Sequence, residues 1–204
     1  MSDYKRIHVK LTFTEPVLGT VSANEDIHSD YIASKAPDAP KMEEEIEAVG
    51  LAEVIEKSMT IFPRDKDGNP IFWDYQIKGF FKDACSALRK VSKTKSSKIK
   101  AYKKDIDGHV FPFPRQIVIH LPDGERIRTC ERPLRASTPQ GERIALASSE
   151  EIPAGSWLDF EVMCLTDEIY DAVYEWLDYG ELRGIGQWRN SGKGRFVWDE
   201  VEKI

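Results

Sequence analysis

Apolar and polar positions alternate strictly over residues 5–14, KRIHVKLTFT, so that Ile7, Val9, Leu11 and Phe13 share one face. That period of two predicts a strand buried on one side, ending at the turn from Pro16 to Gly19. Two more alternating runs, at 142–150 (ERIALASSE) and 156–165 (SWLDFEVMCL), flank Pro153-Ala154-Gly155 and read as a hairpin with Leu158, Phe160 and Val162 on one face. The stretch 194–200, GRFVWDE, reads as a final strand. Shorter β-prone runs surround Asp67-Gly68-Asn69-Pro70, a hairpin signal, and further strands are expected at HVFPFPRQIVIHL and ERIRTCERPL, joined by Pro122-Asp123-Gly124.

The period changes to that of a helix at 76–90, where Ile77, Phe80 or Phe81, Ala84 and Leu88 line one face and Lys78, Lys82 and Arg89 the other. A second helix is predicted at 167–178, with Thr166 as its cap, Asp167 and Glu168 in its positive first turn and Gly180 as its stop. Within KMEEEIEAVGLAEVIEKSM, Ile46, Val49, Val54 and Ile55 form an apolar stripe on an acidic helix, with Gly50 leaving one helix or two open. Without the inserted segments, the order is strand, helix, two strands, helix, strand. The fold class expected is therefore α+β, a ferredoxin-like or RRM-like βαββαβ domain. Residues 5–14, 142–150, 156–165 and 194–200 would form one antiparallel sheet, with both helices on one face and the other face open, as RNA-recognition modules use it. One domain spans 1–204, with insertions at about 20–58 (the acidic helix) and 92–140 (a basic loop plus a hairpin).

Composition agrees with a folded soluble chain: of 204 residues, 41% are hydrophobic and 31% charged. No window approaches the roughly 18 apolar residues of a membrane helix, and the N-terminus lacks a signal-peptide run, so a cytoplasmic protein without membrane partners is expected. Cys85, Cys130 and Cys164 are far apart with no CxxC pair, which argues against a disulfide framework or a zinc site and for buried reduced thiols.

Charge distribution changes the picture more. The chain carries −6 overall, yet residues 89–104, RKVSKTKSSKIKAYKK, hold eight basic and no acidic side chains, which leaves −14 on the remaining 188 residues. This segment reads as a mobile, solvated loop or as a nucleic-acid contact through Lys95, Lys98, Lys100 and Lys103, joined by Lys78, Lys82 and Arg89. The acidic helix reads as a solvated face, or as a phosphate mimic that docks a basic partner protein.

The densest chemistry lies in GIGQWRNSGKG, residues 184–194. Gly184, Gly186, Gly192 and Gly194 either form a flexible crossover or expose backbone N–H groups for close approach to phosphate. Arg189, Lys193 and Arg195 would supply phosphate charge, and Trp188 a stacking face for a base. The pattern of glycine, hydrophobic, glycine, five residues with a cation, glycine, any residue, glycine resembles the C-terminal glycine-rich loop of the RAMP superfamily, the repeat-associated proteins of CRISPR systems. KLTFTEPVLGT resembles that family's first strand and turn. YQIKGFFKDACSALR is similar to the segment that opens its first helix, with Ile77, Lys78 and Gly79 kept, and EEIPAGSWLDFEV to its hairpin before the last helix. The resemblance covers roughly a third of the chain, leaves 20–58 and 92–140 unmatched, and is strongest to the single-domain backbone subunits that line a guide RNA.

The resemblance implies a subunit that grips single-stranded guide RNA, assembling as a filament of itself or with other CRISPR complex subunits, without a cofactor. A solitary version carried by a phage or mobile element, mimicking a CRISPR subunit as an inhibitor, is the second reading. An endoribonuclease, metal-dependent or acid-base, is the third. Histidines 8, 28, 109 and 120 are scattered, and no metal-ligand set is evident. Some backbone subunits of the family cut RNA with an acidic residue after the first strand; Asp26 and Asp30 lie in the comparable region without a matching motif, so binding is favoured over catalysis.

Overall fold

The structure, a computed structural model, describes residues 4–22, 59–138 and 141–201. The acidic helix expected within 41–59, and Asp26 and Asp30, lie outside the described residues. Chain order gives β1 (Lys5–Phe13), β2 (Val17–Leu18), β3 (Val21–Ser22), β4 (Thr60–Ile61), β5 (Ile71–Trp73), α1 (Asp74–Leu88), a 3-10 turn at Ser96–Lys98 and α2 (Tyr102–His109). It continues with β6 (Val110–Phe113), β7 (Gln116–Val118), β8 (Arg128–Thr138), β9 (Gly141–Ile152), β10 (Trp157–Cys164), α3 (Asp167–Arg183), a 3-10 turn at Arg189–Ser191 and β11 (Phe196–Glu200). The described residues form an α+β chain with three sheets, two antiparallel and one mixed. It divides into two compact units, one of residues 1–17, 63–126 and 152–204, the other of 18–62 and 127–151.

The first unit is built on a four-stranded sheet in the order β11-β1-β10-β6, with every neighbour antiparallel. β1 sits inside it because its alternation is real: Ile7, Val9, Leu11 and Phe13 are buried, and their neighbours Leu158, Phe160 and Val162 on β10 continue the same face. Both long helices lie on that face. Phe80 of α1 meets the ring of Phe196 on β11, whose ring also lies where a side chain at Gly180 of α3 would stand, and Phe81 packs on Trp176 with ring centroids 5.5 Å apart.

Three of the four strands expected in one sheet are therefore found there, at nearly the expected boundaries. The fourth is a correction. Residues 142–150 belong to β9, which pairs with β8 across eleven residue pairs in another sheet, while β6 takes the vacant edge beside β10. Nor do 142–150 and 156–165 form a hairpin. Gly155 N donates to Phe13 O and Phe13 N to Ser156 O, so the turn is tied to β1 instead of folding β10 back on β9. Strands predicted at 109–121 and 125–134 also part company. Prolines divide the first into β6, in the main sheet, and β7, which pairs with β5.

The hairpin signal at Asp67 to Pro70 produces a turn closed by the Asp65 carboxylate, which accepts from Asp67 N, Asn69 N and Asn69 Nδ2. These bonds hold the Asp65 carboxyl below its usual range, the Asn69 side chain first among them. Only the Arg64–Pro70 bridge pairs across it, since β4 and β5 join different sheets.

α1 starts and ends two residues before the expected limits, whereas α3 starts at the expected residue and ends five residues later. Trp73 N donates to Gln76 Oε1 at 2.7 Å, half of a capping box that fixes the start of α1. Thr166 Oγ1 accepts from Ile169 N at the start of α3, as expected. α3 does not stop at Gly180 but runs on to Arg183. A Cβ at Gly180 would lie 2.0 Å from Cζ of Phe196, so glycine there makes room for a ring, and Gly184, at φ 73°, closes the helix instead.

In the second unit β9 lies between β2 and β4, with β8 also on β9; β4 runs parallel to β9, whereas β8 on β9 and β3 on β4 are antiparallel. Its centre is polar, which the alternation of β9 does not predict: Ser149 Oγ, buried, receives Arg132 at 2.9 Å and lies 2.7 Å from Thr60 Oγ1.

Cys85 and Cys164 are buried, but Cys130 is only half-buried, which corrects the reading of three buried thiols. Burial pushes the Cys164 thiol up to about 12 and raises Cys85 as well. With a colourless-to-coloured disulfide reagent at mildly alkaline pH, one thiol per chain should react quickly, and Cys130→Ser should remove it; Cys85 and Cys164 should react only after unfolding. A fast phase that survives Cys130→Ser would contradict this.

Candidate nucleic-acid interface

The glycine loop leaves α3 and returns to β11, and backbone hydrogen bonds close its ends. Ile185 N donates to Gly194 O at 2.9 Å, and Gly194 N to Pro16 O at 2.8 Å. A Cβ at Gly184 would come within 2.6 Å of Gly194 C, and one at Gly194 within 1.8 Å of Ile185 O, at φ 73° for both residues. Close backbone approach is thus the reason for these two glycines. Gly186 (φ 89°) and Gly192 (φ 90°) also need the left-handed region, but a Cβ at Gly192 would meet only the side chain of Arg195, at 3.8 Å.

Between the closed ends, the loop carries a 3-10 turn that starts from Trp188, a non-glycine residue at φ 55° that is 42% exposed. Arg189 points inward to α1, where its NH1 lies 2.6 Å from Asp83 Oδ2. Arg183, in the last turn of α3, donates Nε to the same oxygen at 3.1 Å and NH1 to Asn190 Oδ1 at 2.7 Å. Lys193 is half-buried and Arg195 exposed. Arg183 and Asp83 escaped the sequence reading. Arg183 was within reach, since a cation immediately before Gly184 belongs with the loop; Asp83 was not.

The basic segment is a second correction, for it is ordered and docked rather than a plain loop. The Glu175 carboxylate accepts from Lys95 N, from Ser96 N at 3.0 Å and from Ser96 Oγ at 3.1 Å, and Trp176 Nε1 donates to Ser96 Oγ at 2.9 Å. Ser96, Ile99 and Ile106 are buried. Its cations are then sorted. Lys95 pairs with Asp171 at 3.0 Å, whereas Lys98, Lys100 and Lys103 are exposed. The Lys95 ammonium lowers the Asp171 carboxyl, through its hydrogen bond first and its charge second.

On α1, Lys82 pairs with Asp107 of α2 at 2.6 Å, and Lys78 donates to Asp107 O at 3.3 Å and lies over the Phe111 ring. Burial pulls the Lys78 ammonium below its usual value. Arg89 stacks on Tyr102 at 5.1 Å. Helix α1 therefore gathers two groups of the expected cations, those of its own face and, through Asp83, Arg189 of the glycine loop.

The sheet face away from the helices carries cross-strand side-chain contacts. Arg6 pairs with Glu161 at 2.7 Å, His8 Nε2 lies 3.4 Å from Asp159 Oδ2, and Lys10 sits over Trp157, itself stacked on His120 at 4.0 Å. Among the described residues no cluster of histidine, cysteine or carboxylate side chains is arranged to hold a metal, and no helix is long and apolar enough to cross a membrane.

No protein-family model and no curated protein matches this sequence. The fold, however, has counterparts among solved structures. A chain from the cryo-EM structure of the type III-B Cmr-beta complex bound to cognate target RNA superposes with a TM-score of 0.52 at 12% identity, covering 98% of this chain. This chain spans only 60% of that one. A chain of a type IV-B CRISPR complex and Cmr6 from Pyrococcus furiosus each superpose with a TM-score of 0.46, at 11% and 13% identity, over 98% of this chain and over 92% and 100% of theirs.

Proposed function

We propose that this chain is a RAMP-type subunit that grips the backbone of single-stranded RNA within a CRISPR-like ribonucleoprotein, beside other subunits or copies of itself. The observation that carries the reading is the glycine loop, whose backbone is closed so tightly at Gly184 and Gly194 that its cations and Trp188 are presented on a fixed frame. Two further observations support it. The first unit has the strand order β11-β1-β10-β6, which is what a ferredoxin-like βαββαβ plan yields when α1 joins β1 to β6 and α3 joins β10 to β11. On this reading residues 18–62 and 127–151 are insertions into one RNA-binding domain. The likeness of fold is to a chain from an RNA-bound complex.

The RNA path runs along the glycine loop and the cations of α1 and residues 89–104, not over the open sheet face, where Arg6 is paired with Glu161 and Lys10 lies against Trp157. Lysines and backbone amides address phosphate, so binding is sequence-independent and salt-sensitive.

The test is whether the purified protein carries RNA, read from its absorbance ratio at 260 and 280 nm and from the length of extracted RNA. A repeating length favours assembly along a guide; RNA-free protein that binds no single-stranded RNA overturns the reading. Replacing Lys95, Lys98, Lys100 and Lys103 together by Ala should flatten the slope of log affinity against log salt by up to roughly 3, at about 0.7 for each phosphate that a lysine no longer neutralises. An unchanged slope would remove the segment from the interface.

A further inference from the structure

Two guanidinium groups share one carboxylate oxygen beside the glycine loop. Arg183 Nε and Arg189 NH1 both contact Asp83 Oδ2, at 3.1 and 2.6 Å, and the three side chains are 30%, 27% and 35% exposed, taking Arg183, Arg189 and Asp83 in turn. The arrangement is open to solvent and unlike the paired, parallel hydrogen bonds by which arginine best holds a carboxylate. The Arg183 guanidinium has a second partner in Asn190 Oδ1 at 2.7 Å, and the backbone that carries Arg189 is closed as a 3-10 turn by Gly192 N to Arg189 O.

The fold has little need of this carboxylate. The loop is closed by Ile185 N to Gly194 O and Gly194 N to Pro16 O, and partly exposed ion pairs add little to stability. A buried structural pair would instead be sealed from water and fully bonded.

We propose that Arg183 and Arg189 form a phosphodiester site and that Asp83 is its internal occupant, a carboxylate that an RNA backbone phosphate displaces. The proposal rests on the RNA-binding reading above and adds the partner and the residue that governs it. A phosphodiester carries the same single negative charge as Asp83 but offers two non-bridging oxygens, so each guanidinium gains an acceptor of its own. Exchange leaves the charge of the node unchanged and returns the Asp83 carboxylate to water, with its counterion. Asp83 thus holds the arginines in the bound arrangement beforehand and makes every incoming anion compete. Weakly held single phosphates lose that competition, whereas a strand engaged elsewhere along the loop wins it.

The experiment compares wild type, Asp83→Asn and Asp123→Asn, the last making the same charge change at an exposed turn. A fluorescein-labelled oligouridylate is titrated at several salt concentrations, inorganic tripolyphosphate is titrated separately, and melting curves accompany both. Asp83→Asn should bind the oligouridylate roughly three- to tenfold more tightly than wild type, the size of the two partly exposed ion pairs removed together. Its salt slope should steepen by about 0.7, one counterion no longer taken up by the freed carboxylate. Asp123→Asn should change affinity less than about twofold, since Asp123 is exposed and the ion pairs of Arg183 and Arg189 are made to Asp83.

If Asp83→Asn binds neither probe more tightly than Asp123→Asn does, or melts early and binds less, Asp83 is a structural carboxylate and the proposal falls. Binding of oligouridylate by wild type would then leave the RNA reading standing. If neither protein binds oligouridylate while Asp83→Asn gains affinity for tripolyphosphate, the anion site stands and the RNA reading falls.

Discussion

Gly194→Ala should destabilise the protein by about 4 kcal/mol, the sum of a backbone held at positive φ and an overpacked contact. The added Cβ would stand 1.8 Å from Ile185 O, a backbone atom that cannot rotate away, and the residue is held at φ 73°. Relief requires the two ends of the glycine loop to separate, which breaks the hydrogen bonds from Ile185 N and Gly194 N together. Gly192→Ala makes the contrast: the φ of 90° is as unfavourable, but the nearest atoms belong to the Arg195 side chain at 3.8 Å, so a cost of about 1 kcal/mol is expected. The two variants look equivalent in the sequence, as second-pair glycines around Lys193. Urea denaturation of both checks the difference, and equal midpoints would mean that the loop ends are not in contact. RNA binding is then best assayed in Gly192→Ala, where a loss cannot be assigned to unfolding.

Trp176→Ala should cost about 3–5 kcal/mol, in the range for removing a buried large aromatic side chain. Trp176 is fully buried, packs on Phe81 of α1 at 5.5 Å and donates its indole N–H to Ser96 Oγ at 2.9 Å. One residue therefore holds the two long helices together and anchors the basic segment. Trp176→Phe keeps the ring packing and removes the donor, so its cost should be nearer to about 1–2 kcal/mol. Trypsin reads the second role directly. The attachment of Ser96 and Ile99 should slow cleavage after Lys95 and Lys98 in the wild type, and cleavage there should quicken in Trp176→Ala at temperatures well below its melting point. A variant that loses stability but keeps the wild-type cleavage pattern would separate the two roles and place the anchor in Glu175 alone.

The alternation of β1, β10 and β11 was legible because burial on one face imposes a period of two on each strand. The choice of partner was not, since β9 alternates equally well and nothing in its period says whether β1 or β8 lies beside it. Gly180 shows a different limit. A glycine near the end of a helical run reads as a stop, and only the position of Phe196, sixteen residues later and on another element, reveals that it makes room for a ring. The glycine loop was legible as a loop with cations, because its spacing is local. Its partner Asp83 lies 100 residues from Arg183 and 106 from Arg189, a separation that no local pattern bridges. The basic segment was read from charge, which describes its exposed lysines but is silent on Ser96, whose burial depends on Glu175 and Trp176.

The contact between Gly184 and Gly194 also sets what can change in this protein over evolution. Because the loop is cinched at its base, residues 186–192 hang from a fixed ring of backbone, and their number enters the stability mainly through closure entropy, at about 0.6 kcal/mol for each doubling of length. The tip is therefore an exchangeable cassette: residues can be inserted, deleted or transplanted from another loop of this kind while the helix and strand that it joins keep their places. The two cinching glycines are the positions such exchange must leave alone.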